Sequence, residues 1–163
     1  MKQAALSVLL LAVLSLFAAC GRDTGQAQAG TIRYTEITAD PTGIISLSTE
    51  EITETACFYN YLTGSITVQL VAIRDSAGHA HIAFNTCQSC SPSPKAHYSQ
   101  NGELLQCANC GFTFSPEEVG LVQGGCSPWP IDGVKIGPDE ITLPIASLEA
   151  MASRFASWNG PLK

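Results

Sequence analysis

A small, mainly β domain, an antiparallel barrel or sandwich with a short C-terminal helix, is predicted by three features of this 163-residue chain. Ser65–Arg74 (SITVQLVAIR) is a continuous apolar run rich in β-branched residues, suited to a central strand. His79–Asn85 follows with period-two alternation. Glycine and proline recur at 14 and 9 positions, which keeps extended segments short and turned back on one another.

The N-terminus comes before the domain. Met1-Lys2 is a short positive start, and Ala4–Gly21 carries no charge. An apolar core from Leu6 to Phe17 ends in Ala18-Ala19-Cys20, the charged, apolar and small-residue order of a secretory signal. The end of this segment resembles a bacterial lipobox. The expectation is therefore a signal peptide over 1–19, Cys20 as the lipidated first mature residue, a lipidated tether over 20–30 and a β-domain over 31–163. The tether residues GRDTGQAQAG are small and polar, as in a flexible linker. The expected location is the bacterial cell envelope, held to the membrane by the lipid anchor and facing away from the cytoplasm. No twin-arginine pair precedes the apolar core, which predicts export in the unfolded state.

Within the domain, Thr31–Ile37 is rich in β-formers and reads as the first strand. Asp75-Ser76-Ala77-Gly78 is a turn that joins Ser65–Arg74 to His79–Asn85 as a hairpin ending at Cys87. Along its second arm Ala80, Ile82 and Phe84 take one face, and His79, His81, Ala83 and Asn85 the other. Further short strands are expected at Glu103–Cys107, Val119–Gln123 and Glu140–Ile145. A helix is expected over Ser147–Trp158, capped by Ser147, with Leu148, Met151, Ala152 and Phe155 on one face. Gly160-Pro161 ends it.

The formal charge is −6, and removal of Met1–Ala19 takes away only Lys2, leaving seven basic against fourteen acidic residues, or −7. Such a domain offers no basic face for phosphates, which excludes nucleic acid as a partner. The chemistry lies in seven cysteines. Cys87-Gln88-Ser89-Cys90 is followed, after sixteen residues, by Cys107-Ala108-Asn109-Cys110-Gly111. In a Cys-x-x-Cys turn both sulfurs aim at one ion and backbone amides aim at the sulfurs. Four such thiolates make a tetrahedral site, and the spacing falls within the metal-site window. Cys87, Cys90, Cys107 and Cys110 are thus the candidate ligands. Cys57 and Cys126 are left to bridge one another or stay free, because an exported chain permits disulfides. His79 and His81 read as a solvated strand end and His97 as a surface residue. Trp129, in Ser127-Pro128-Trp129-Pro130, either packs in the core or covers the metal site. No Ser/His/Asp set, carboxylate pair or phosphate loop stands out. The chain therefore reads as a non-catalytic metal-binding or electron-transfer protein rather than an enzyme.

The ordered run Ala83-Phe84-Asn85-Thr86-Cys87-Gln88-Ser89-Cys90, then Cys107-Ala108-Asn109-Cys110-Gly111, then Gly124-Gly125-Cys126-Ser127-Pro128-Trp129-Pro130 resembles the DUF2318 family, also described as Fe–S-containing, FtrD-like membrane protein domains. The similarity spans roughly Ala56 to Ile145. It implies Cys87, Cys90, Cys107 and Cys110 as metal or cluster ligands and Cys126 as a further functional cysteine. It also implies association with bacterial metal-uptake or redox partners in the envelope. The loop order is similar to that of Rieske domains as well, with cysteine at both histidine places. Replacing two imidazoles by thiolates lowers the reduction potential. Three functions follow. The first is electron transfer or iron handling with an iron–sulfur cluster or mononuclear iron. The second is a structural zinc-binding module mediating protein interaction. The third, a thiol–disulfide enzyme, is weakest, because its motif belongs beside a βαβ unit.

The leader generates the first prediction. Cys20→Ala should release or misprocess the exported protein, seen as a shift from the membrane to the soluble fraction. A variant that stays membrane-bound and is processed as before would refute lipidation at Cys20.

Overall fold

Burial of one strand pair on both faces organises the domain. The computed structural model describes residues 31–163, so the expected signal, Cys20 and the tether lie outside the described residues. The strands are β1 (Arg33–Ile37), β2 (Ile44–Ser48), β3 (Cys57–Thr63), β4 (Ile66–Arg74), β5 (Ala80–Cys87), β6 (Tyr98–Asn101), β7 (Leu104–Cys107), β8 (Thr113–Phe114), β9 (Pro128–Trp129), β10 (Lys135–Ile136) and β11 (Glu140–Pro144), followed by helix α1 (Ile145–Met151). Among the described residues they form three sheets, ordered β1-β3-β4-β5-β9, β10-β11-β2 and β6-β7-β8. No barrel closes, and the sheets fit a small sandwich. Nor is the central sheet wholly antiparallel as expected, since β1 pairs parallel to β3.

Alternation along the central strands divides the interior into two cores. Tyr59, Val68, Leu70, Ala72, Ile82 and Phe84 face one side, where Ile45, Leu47, Ile141, Leu143, Leu148 and Phe155 cover them. Phe58, Val71, Ile73, Ala83 and Cys87 face the other, against Tyr98, Leu105, Cys107 and Phe114. Each large apolar side chain buried in this way contributes about 1.5–3 kcal/mol. All eight β5 residues are buried, which corrects the expectation of a solvated histidine end. His81 is inside and donates through Nε2 to the buried Asp75 carboxylate at 2.9 Å, while His79 stays exposed.

Double-sided cover leaves Asn60, Gln69 and Asn85 on the second face with no water, and they satisfy one another in a row across the sheet that ends on the exposed Glu36. Asn85 donates to Gln69 (2.7 Å), Gln69 to Asn60 (2.7 Å) and Asn60 to Glu36 (2.9 Å). Asn60 pairs with Gln69 in the β3–β4 register and with Glu36 in the β1–β3 register. The C-terminal tail completes the row, with Pro161 and Leu162 carbonyls accepting from Gln69 and Asn60. Each such group left unpaired in the interior would cost about 1–3 kcal/mol. At the far end the Asn85 side-chain oxygen accepts from the Tyr98 N–H at 2.8 Å and so fixes β6 against β5.

Two further expectations are corrected. Val119–Gln123 is a turn, not a strand. Ser115 and Glu118 form a capping box on a short 3-10 turn over Pro116–Glu118, and the chain then bends at Gly120. Gly120 has φ +76° and sits so close to β5 that an added Cβ would lie 2.4 Å from the Ile82 carbonyl oxygen. Helix α1 starts at Ile145, with Pro144 at its N-cap, and Ser147 lies inside it, donating to the Asp132 carbonyl. The helix tightens to 3-10 over Ala152–Phe155 and ends before Trp158. Its expected apolar face is in place: Leu148 and Phe155 are buried, with Met151 and Ala152 packed beside them.

Asp75 makes the hairpin turn sensitive to acid. Its carboxylate holds His81, the His79 ring at 3.2 Å and the His79 N–H at 2.7 Å. The hydrogen bond with His81, above all, keeps the carboxyl well below the usual range. A depressed folded-state pKa gives stability that is present above the unfolded value, near 3.9, and lost as pH falls below it. Denaturant titrations between about pH 5 and pH 3 should show wild type losing more stability than Asp75→Asn. Equal losses would show that Asp75 carries none of the acid sensitivity.

Candidate metal centre

The two Cys-x-x-Cys motifs become parallel knuckles at adjacent strand ends. Cys87 closes β5 and Cys107 closes β7. In the first loop the Cys87 N–H donates to the Ala96 carbonyl, and its own carbonyl accepts from Ser91 N–H at 2.9 Å. In the second, the Cys107 carbonyl accepts from Gly111 N–H at 2.8 Å, and Cys107 N–H donates to Phe112. Gly111 adopts φ +75°, the left-handed conformation that the loop's reversal demands and that glycine reaches without steric cost. The loops are tied together by Ala108 N–H donating to the His97 carbonyl at 2.8 Å.

This arrangement brings the sulfurs of Cys87, Cys90, Cys107 and Cys110 within 4.8 Å of one another, with Cys90 and Cys107 at 4.0 Å. A tetrahedral ion with ~2.3 Å metal–sulfur bonds sets neighbouring sulfurs ~3.8 Å apart, whereas a disulfide needs ~2.05 Å. All six described cysteines are free. The donor set is purely thiol and sits beside the second core. Cys87 and Cys107 are buried, Cys90 is half-buried and Cys110 is exposed. Four soft donors at this separation fit a thiolate-bound iron or zinc and suit a hard cation poorly.

The surroundings separate Cys90, Cys107 and Cys110 electrostatically. Burial pushes Cys90 upward, against the Asn109 side chain that bonds it, and burial likewise pushes Cys107 to about 11 against the Cys110 and Asn109 backbone amides. Cys110 also feels burial, yet the Phe112 N–H and the thiols of Cys107, Cys90 and Cys126 bring it down to about 7. A bound metal must displace the protons of the raised thiols, so affinity should increase with pH.

The remaining candidates divide by face. Cys126 stands outside the set of four, on a loop held against the first knuckle by the Ser89 N–H and hydroxyl, which donate to the Gly125 carbonyl. Cys57 packs in the first core, across the sheet, with its sulfur 3.4 Å from the Arg33 guanidinium. The central sheet separates it from Cys126, which overturns the expected option of a Cys57–Cys126 bridge. Trp129 also packs on the first core, beneath Arg154 at 5.0 Å, so it does not cover the sulfurs. His97 is not a surface residue. It is half-buried, edge-on to Trp158 at 5.9 Å, with burial disfavouring its protonated form.

Sequence reasoning missed three groups around the site. Tyr98 is fully buried, and its hydroxyl donates to the Cys126 carbonyl beside Cys87. Asn109 accepts from Ser93 at 2.7 Å while its amide serves Cys90. Gln88 reaches the loop that carries Cys126. Asn109 and Gln88 lie inside the Cys-x-x-Cys motifs, so position alone marked them out, but their partners are distant in sequence.

Residues 52–155 match the family model described as membrane iron-sulfur containing protein FtrD-like, more than half of the chain. No curated protein and no solved structure matches.

Cys→Ser at each of the four clustered positions should abolish stoichiometric metal and destabilise the domain to a similar, severe degree, since structural metal sites contribute about 10–16 kcal/mol. Cys57→Ser should keep its metal and cost about 1–3 kcal/mol for a buried hydroxyl. Metal analysis with thermal unfolding of the five variants checks this. Metal loss in Cys57→Ser, or retention in any of the four, would contradict the site.

Proposed function

This chain belongs to the FtrD-like family of membrane iron-sulfur containing proteins, and from that premise we propose that Cys87, Cys90, Cys107 and Cys110 hold iron as four thiolates, in an envelope protein that transfers electrons or handles iron. The observation that carries this reading is the convergence of the four sulfurs within 4.8 Å. That spread lies near the ~3.8 Å of a single tetrahedral ion. It favours mononuclear iron as the resident form, because a two-iron cluster would move the two knuckles apart.

The setting supports electron transfer. Three ligands lie wholly or partly inside a low-dielectric wall, while Cys110 is exposed and gives a partner an edge at which an electron can enter or leave. The Asn109 and Cys110 amides near Cys107 and the Phe112 amide at Cys110 would stabilise the reduced, more negative centre. Among the described residues no helix is long and apolar enough to cross a membrane. Attachment through lipid on Cys20 is the mode we assign to the membrane association in the family's description.

The test is the visible spectrum of protein purified without oxygen from the bacterial envelope, with iron, zinc and acid-labile sulfide quantified together. Iron without sulfide and a thiolate-to-iron absorption that bleaches on reduction are expected. Iron with stoichiometric sulfide would replace the single ion by a cluster. A colourless protein with one zinc would overturn the electron-transfer reading in favour of a zinc-stapled interaction module.

A further inference from the structure

Both cysteine knuckles hang on one loop, and the end of the chain is fastened behind that loop. We propose that Trp158 and Asn159 are positioning residues of the metal centre: they brace the Ser91–His97 loop from outside, and a bound ion escapes when this C-terminal brace lets go. This rests on the reading that Cys87, Cys90, Cys107 and Cys110 bind metal.

The loop comes first in the argument. On the side of the first knuckle, its Ala96 carbonyl accepts from Cys87 N–H (2.8 Å), and its Ser93 N–H donates to the Cys90 carbonyl (2.8 Å). On the side of the second, the His97 carbonyl accepts from Ala108 N–H (2.8 Å), and the Ser93 hydroxyl donates to the Asn109 side-chain oxygen (2.7 Å). Ala108 and Asn109 are the residues between Cys107 and Cys110. The Ser91–His97 loop therefore sets where one pair of sulfurs stands relative to the other.

The tail holds this loop. The chain leaves Phe155 on the first core and ends with the Pro161 and Leu162 carbonyls on Gln69 and Asn60 of the second face. As it crosses, the Trp158 indole N–H donates to the Asn85 carbonyl (3.0 Å) and the Asn159 N–H donates to the Pro94 carbonyl (2.9 Å). Asn85 lies just before the first Cys-x-x-Cys motif and Pro94 just after it, so two adjacent tail residues hold both of its flanks. The Trp158 ring meets His97 edge-on at 5.9 Å and packs against Phe155 at 5.5 Å. Gly160 brings the backbone onto the same ring, where an added Cβ would lie 2.2 Å away. The indole is thus held between the loop, the end of the helical segment and the tail itself.

These contacts involve no sulfur. Loss of the brace should leave the ligand set intact and change how often the loop opens. Terminal segments open locally at a smaller free-energy cost than a buried core, which makes the brace the place where the site can open without unfolding the sheet. Coupling between two sites is reciprocal, so a brace that retains the ion is itself retained by the ion.

The experiment uses the full chain loaded with cobalt(II), with release to excess chelator followed through the tetrathiolate absorption. A wild type without that absorption would refute the four-cysteine reading and this inference with it. Trp158→Phe keeps a ring but removes the indole N–H, and Asn159→Pro removes the backbone donor. Both should show the wild-type cobalt spectrum and release the ion about tenfold faster. Arg154→Ala, on the preceding turn and stacked on Trp129, should release at the wild-type rate. Low urea separates the brace from a general loss of stability, because local opening exposes little surface and global unfolding exposes much. Faster release that is insensitive to low urea is expected. Wild-type rates in both tail variants, or an acceleration that grows steeply with urea, would overturn the proposal. A measurement on wild type needs no variant to fold. Zinc(II) loading should slow hydrogen exchange at the Asn159 amide and the Trp158 indole together with the Ala108 amide. Slowing at Ala108 with no change at Asn159 and Trp158 would overturn the brace while leaving the metal site in place.

Discussion

A sheet with solvent on neither face has no place to put a polar side chain except against another polar side chain. That constraint, imposed on β4 and β5 by the sheets and helix on either side, determines much of the rest. It forces Asn60, Gln69 and Asn85 into one register row, because an unpaired amide at any of these positions would cost about 1–3 kcal/mol. It also pairs His81 with Asp75 at the hairpin end, where the His81 Nε2 would otherwise be buried without a partner. The row ends on the backbone of Tyr98, so the same accounting that keeps the interior dry also sets the distance between β5 and β6. Cys87 leaves one of these strands, and Cys107 pairs with Tyr98 of the other. The spacing of the sulfurs is thereby inherited from the packing of the sheet.

This explains why the site is shared unequally among its ligands. The first cysteine of each motif is the last residue of a strand and is buried with it. The second lies three residues on, past the turn, and its sulfur returns to the rim. Each of the two knuckles therefore contributes one inner thiol, Cys87 or Cys107, and one outer thiol, Cys90 or Cys110. The inner thiols rigidify the centre, and the outer ones give it contact with solvent and partners. The electrostatics of the thiols do not simply follow this division. Cys90, an outer thiol, is also raised, because the neighbouring thiols and the wall of the second core desolvate it, whereas Cys110 has the Phe112 amide and open water.

Local chemistry was legible in the sequence; long-range cover was not. The Cys-x-x-Cys turns, the Gly111 bend and the β4–β5 hairpin depend on residues within a few positions of one another, and the structure shows them where the pattern places them. The apolar face of the last helix was legible for the same reason, although its start and cap were not. β3 escaped notice because Asn60 interrupts an otherwise apolar run, and only the row across the sheet makes that asparagine fit. Val119–Gln123 has strand composition, yet Gly120 must turn against Ile82, which depends on how closely that loop packs. The burial of His81 follows from a second layer of cover that alternation along one strand cannot reveal.

The face on which a cysteine sits decides its chemistry more firmly than its reactivity does. Cys57 and Cys87 are both buried at strand ends of one sheet, in β3 and β5. Side chains alternate between faces with a period of two, so a shift of a single residue would exchange them. Cys57 falls with Tyr59 on the first face, among aliphatic residues and the Arg33 guanidinium, and among the described residues no other thiol is near enough to share a metal. Cys87 falls with Ala83 on the second face, where three further thiols and the Cys126 loop converge. Parity therefore separates an isolated cysteine from a ligand. It also accounts for Trp129, which pairs with Phe84 and follows it onto the first face, leaving the sulfurs bordered by the Gly124–Ser127 loop.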